Sequence, residues 1–148
     1  MKLKRKNMPA RRGIAIIEFA LVVPLMLFLV AAVVDYTLLM RAAIAVGDAA
    51  RAGAQYGSLS TANASNTSGI QTAALNAAPD IPGLTASAAK VCQCSNGSTV
   101  NCSGGTCPSG PVRTYVQVTV KTTVNPLFSY PQLGYTGAVV ATATMRAQ

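Results

Sequence analysis

The sequence has no histidine and no tryptophan, and only four acidic side chains in 148 residues. The missing histidine excludes imidazole acid–base chemistry and imidazole metal ligation. The carboxylates are Glu18, Asp35, Asp48 and Asp80, so beyond Asp48 a single one remains and a paired-carboxylate mechanism lacks residues. A serine or cysteine nucleophile would find no conventional base. The chain therefore reads as a non-enzyme without a cofactor.

Charge is scarce too, at 11% of residues, yet the formal net charge is +8. Lys2, Lys4, Arg5, Lys6, Arg11 and Arg12 supply half of the twelve basic residues; the other six face four acidic ones, leaving about +2. No basic patch interleaved with aromatics survives that subtraction, so nucleic acid is not an expected partner. The basic cluster acts as a topological signal instead.

What the sequence does have is one long hydrophobic run. Residues 14–40 are almost wholly apolar and 19–34 carry no charge. With its flanks this approaches the roughly 20 residues needed to cross a bilayer. The positive cluster before it predicts a cytoplasmic N-terminus and an external C-terminal part.

Three kinds of N-terminal segment fit such a run: a secretory signal peptide, a permanent signal anchor, and a leader cut before the apolar segment. A signal peptide has an apolar core of about 7–15 residues and then a small-residue cleavage site. Here the core is longer, and Val30, Ala31 and Ala32 form only a weak site. Both of the first two readings leave Glu18 without a role. The third reading gives it one.

Arg11, Arg12, Gly13, Ile14 and, five residues after the glycine, Glu18 resemble the prepilin peptidase site of type IV pilins and pseudopilins. Cleavage after Gly13 would leave Ile14 first and Glu18 fifth. The resemblance implies that the carboxylate meets the freed amine of a neighbouring subunit as helices pack. A carboxylate in apolar surroundings costs about 2.5–3.5 kcal/mol at a helix centre, and less near an end; an ammonium partner offsets that. The first-turn position also suits a negative charge, by about 0.3–1 kcal/mol. The competing reading is that Glu18 snorkels to the headgroups.

The wider pattern is Gly13, then Glu18-Phe19-Ala20, an aliphatic stretch holding Pro24, and Asp35 near the helix exit. Over residues 11–57 it resembles the TadE-like family of pseudopilins of tight-adherence (Flp) pilus systems. That resemblance implies a minor pilin acting by helix packing. Its implied partners are prepilin peptidase, other pilins or pseudopilins, the inner-membrane assembly machinery and the membrane itself. Pro24 is expected to kink the spanning helix.

The helix should continue to about residue 56, since alanine is abundant and no proline intervenes. Residues 14–56 would then span about 65 Å. Gly57 and Ser58 mark a plausible end. Ala43, Gly47 and Ala50, and likewise Ala45, Ala49 and Gly53, recur at helical spacing as small-residue faces. Whether such a face meets a neighbour or the protein's own sheet is open at this point.

Residues 58–69 read as a polar loop, a hinge between shaft and head, and 70–78 as a short helix stopped by Pro79. Asn63, Asn66, Asn96 and Asn101 begin N-x-Ser triplets, read as chance occurrences in serine-rich loops. Residues 112–124 alternate Val or Thr with more polar positions, the clearest strand in the chain. Weaker strands are expected at 84–92 and 137–146. Tyr115, Tyr130, Tyr135, Phe128 and the 126–131 loop read as packing more readily than as a contact patch.

Cys92, Cys94, Cys102 and Cys107 lie within sixteen residues. Zinc sites usually show paired C-x2–4-C knuckles, and a segment outside the cytoplasm favours oxidation, so two structural disulfides are expected and no metal. A Cys92–Cys94 ring is very tight. The nested pairing (Cys92–Cys107, Cys94–Cys102) and the crossed one both remain, with Asn96 and Gly97 marking a turn between.

The expected protein is thus α+β and pilin-like, a long transmembrane helix packed on a small, mostly antiparallel sheet. Residues 1–13 form the leader, 14–57 the helix (spanning over about 14–40) and 58–148 the disulfide-stapled head. It would sit in the inner membrane with a single pass, its head periplasmic or extracellular, or be incorporated in a pilus. The alternative is an uncleaved, signal-anchored surface binding module.

Overall fold

The apolar run and the alanine-rich stretch after it form one 47-residue helix, α1 (Arg12–Ser58). The computed structural model describes residues 12–127 and 137–148. Residues 1–11, most of the expected 1–13 leader, and Phe128, Tyr130, Pro131 and Tyr135, lie outside the described residues. At 1.5 Å per residue α1 is about 70 Å long. Pro24 lies inside it, and the helix continues through that position.

The two halves of α1 have different surroundings. In the upper half Ala42, Val46, Ala49, Ala50 and Ala54 are buried at three- and four-residue spacing, one stripe of an amphipathic helix. Gly53 and Gly57 continue the stripe. A Cβ on Gly53 would lie 3.0 Å from the Ala74 Cβ and 3.1 Å from the Ile70 carbonyl oxygen. The small face of Ala49 and Gly53 therefore serves the protein's own core. Gly47 has nothing within 4 Å of where its Cβ would stand.

Residues 58–69 differ from the expected polar hinge. They hold a short helix, α2 (Thr61–Ser65), and the first turn of α3 (Thr67–Asn76). The reason is capping, which polar composition conceals. Ser60 Oγ accepts from the Asn63 backbone N–H at 3.1 Å, and Asn66 Oδ1 accepts from that of Gly69 at 3.0 Å. Asn63 Nδ2 also donates to the Tyr56 carbonyl of α1, and Lys90 Nζ to Ser65 Oγ, so the segment is tied on both sides. Ala64, Ile70 and Ala74 are buried beneath it. The helix expected at 70–78 accordingly starts and ends a few residues earlier.

Among the described residues four strands follow: β1 (Thr85–Gln93), β2 (Thr99–Val100), β3 (Arg113–Thr123) and β4 (Ala138–Arg146). They form one sheet in the order β2-β1-β3-β4, with every neighbouring pair antiparallel. β3 is central and buries Val116, Val118, Val120 and Thr122 against the helices. The one buried polar side chain among these, Thr122, donates to the Pro82 carbonyl at 2.8 Å. On the opposite face Thr119 and Thr142 share a hydroxyl hydrogen bond of 3.0 Å and Gln117 and Lys121 are exposed. The architecture is α+β, one long helix laid on an antiparallel sheet.

Candidate membrane and assembly helix

Among the described residues, the apolar side chains of the lower half of α1 are largely uncovered by the head. Phe19 is 70% exposed and Leu21 74%, and Leu25, Leu27, Phe28 and Val30 are exposed as well. An 18-residue window has a mean hydropathy of 2.7 and none of it is buried. Fully burying each large apolar side chain is worth about 1.5–3 kcal/mol. Leaving this surface in water is untenable, and the helix is long and apolar enough to cross a membrane.

Glu18 stands near the start of this surface. It is exposed, and its side chain makes no hydrogen bond or ion pair with another described residue. The Gly13–Ile14 bond lies in the first turn of α1, one turn before it. No described residue of the head pairs with this side chain, so a compensating charge is left to residues outside the described ones, to lipid or to another chain.

The same stretch carries the one positive finding from comparison with known proteins. Residues 13–55 match the family model described as TadE-like protein. This helix is similar to that family over these residues. No curated protein and no solved structure matches the chain. The TadE-like segment covers somewhat under a third of the sequence and includes Gly13, Glu18, Pro24 and Asp35. Together with the exposed apolar surface, it points to a membrane-anchored, pilus-associated protein.

Beyond the TadE-like helix, the head is stapled at its far end. Cys92 bonds Cys102 and Cys94 bonds Cys107, with Cα separations of 5.2 and 5.5 Å. This is the crossed arrangement of the two left open by the sequence. All four sulfurs are thereby used as disulfides rather than as thiolate ligands. The turn between them is the expected one: Gly97 has φ +83°, and Asn96 Oδ1 accepts from the Ser98 backbone N–H at 3.1 Å. Replacing Cys94 and Cys107 together by Ser is expected to lower head stability by about 2–4 kcal/mol. Urea unfolding of the detergent-solubilised chain checks this, and an unshifted midpoint would contradict it.

Sequence reasoning missed one contact at the helix exit. Asp35 Oδ1 accepts from the backbone N–H of Leu127 at 2.7 Å, across 92 residues. Asp35 is recognisable as a polar residue ending the apolar run, but no local pattern pairs it with the β3–β4 connection. The Arg51–Asp48 pair one turn apart, at 3.5 Å, is solvent-exposed on both sides and contributes little. Of the aromatic residues considered for a contact patch, Tyr115 lies half-buried on the outer face of β3, opposite Arg146 and Val91.

Proposed function

We propose that this chain is a minor pilin or pseudopilin of a tight-adherence pilus system. It is inserted in the inner membrane with its N-terminus cytoplasmic, cut by prepilin peptidase after Gly13, and drawn into an assembly through its helix. It works by packing and performs no catalysis. The observation that carries this reading is the division of labour along α1. Within a helix that matches the TadE-like model along nearly its whole length, the upper half is committed to the head's core, while the lower half, starting near the Gly13–Ile14 junction, offers an unburied apolar surface with Glu18 in its first turns.

In this account Ile14 contributes the freed amine and Glu18 registers one subunit against the next. Apolar side chains from Phe19 onward supply helix-to-helix packing, in lipid before assembly and in a bundle afterwards. The stapled head presents its polar sheet face to other pilus components.

A photo-crosslinking amino acid at Leu21, in cells that make the whole system, tests the assembly role. Adducts to other pilin-like helices are expected from Leu21, and none from Thr99 at the far end of the head. Adducts to lipid alone would favour the uncleaved anchored module.

A further inference from the structure

We propose that Leu127, held in place by Asp35, is a second membrane contact, which seats the base of the head in the boundary between acyl chains and headgroups. The inference rests on the reading of lower α1 as a membrane span. A hydrocarbon core of about 30 Å takes about 20 helical residues. Counted from Ile14, those residues end near Val33, two short of Asp35. The Asp35–Leu127 hydrogen bond therefore brings Leu127, four residues past β3, down to the level where the helix leaves the hydrocarbon.

What Leu127 presents there is apolar. Leu127 is 63% exposed although its backbone N–H is fixed at 2.7 Å to a carboxylate. An N–H donated to a charged acceptor is among the stronger hydrogen bonds, so the leucine is held at that depth. Around the same level Tyr36, Leu38 and Met40 are also exposed, and tyrosine favours membrane interfaces. Arg41 lies six residues above Asp35, about 9 Å along the axis, at a depth suited to lipid phosphates. It lines a cavity of about 320 Å³ with Leu38, Asp80, Ile81 and Asn125; Asp80 is the charged group facing it there. Leu127, Tyr36, Leu38 and Met40 thus form an exposed apolar belt at the helix exit. Lipid is favoured over a protein partner because this belt continues the exposed apolar surface of the span.

The absence of tryptophan makes the test clean, because each variant then carries a single one. The full chain would be reconstituted in phosphatidylcholine–phosphatidylglycerol vesicles as Leu127→Trp, Phe28→Trp or Thr99→Trp. Lipids brominated near the headgroup end or near the chain end serve as quenchers. Leu127→Trp is expected to emit blue-shifted and to be quenched best by the shallow bromines. Phe28→Trp should be quenched best by the deep ones, and Thr99→Trp by neither. Adding Asp35→Ala to Leu127→Trp should shift the emission to the red and reduce shallow quenching, with Phe28→Trp quenching unchanged by Asp35→Ala.

If the Leu127→Trp protein emits as in water while the Phe28→Trp protein is quenched, the second contact is overturned and the span stands. Blue-shifted but unquenched emission from Leu127→Trp means that a protein surface covers the position, which also overturns the proposal. Unquenched emission from Phe28→Trp removes the span and the inference together. Quenching of Leu127→Trp that is unchanged by Asp35→Ala overturns the role given to Asp35.

Discussion

Replacing Gly57 by Val is expected to destabilise the head by about 3 kcal/mol, the upper part of the range for overpacking a filled core. A Cβ at this position would stand 2.8 Å from Val116 Cγ1, 3.0 Å from Ile70 Cδ1 and 3.1 Å from Val116 Cγ2. None of these atoms has room to retreat, because Val116 and Ile70 are both essentially buried and meet α1 from the sheet and from α3. At Gly57, α1, α3 and β3 come close together, so the valine methyls must push the helix away from the sheet. A reversed effect is expected at Gly47, ten residues earlier on the same helix. Nothing lies within 4 Å of its missing Cβ, and Gly47→Ala should stabilise by about 0.4–1 kcal/mol by reducing the freedom of the unfolded chain. Thermal and urea unfolding of the two variants in detergent check both signs. A Gly57→Val protein as stable as the parent would contradict the close approach described here.

Replacing Glu18 by Val is expected to leave membrane insertion intact and to reduce entry into an assembly by about 100-fold or more. Insertion should if anything improve, since a carboxylate in the hydrocarbon is a cost of about 2.5–3.5 kcal/mol at the centre and less near an end. Assembly should suffer because the neighbour's freed ammonium would then be buried without a partner. Breaking a buried pair on one side costs about 3–5 kcal/mol, and each 1.4 kcal/mol is about tenfold in an equilibrium. Quantifying the variant in membrane and sheared-pilus fractions separates the two steps. Equal incorporation of variant and parent would show that Glu18 merely reaches the headgroups.

The parts of this molecule legible in its sequence are those set by short-range periodicity. The alternation along 112–124 gives β3 and its buried valines, and the uninterrupted alanine-rich run gives a helix ending at Ser58. The two-residue strand β2 is too short to leave a pattern, although the turn that creates it is visible in Asn96 and Gly97. Helix α2 and the first turn of α3 were hidden because Ser60 and Asn66 read equally well as loop residues until their side chains are seen to accept backbone N–H groups. The use of the Ala49 and Gly53 face was undecidable from spacing alone. A small-residue stripe fits a neighbour's helix or the chain's own sheet, and only the positions of Ala74, Ile70 and Val118 decide it.

For the functional helix the order of legibility is reversed. Gly13, Ile14 and Glu18 stand out in the sequence because a lone acid at the start of an apolar run demands compensation, whereas the folded chain offers it no partner among the described residues. The crossed disulfides and the Asp35–Leu127 contact are products of the fold, since each depends on where distant backbone segments meet.

The most direct test of the account is the intact mass and N-terminal sequence of the protein taken from its native membrane, with and without prepilin peptidase. The account predicts a mature chain that begins at Ile14 only when the peptidase is present. A leader still attached in the presence of the peptidase, or a cut near Ala32, would contradict it.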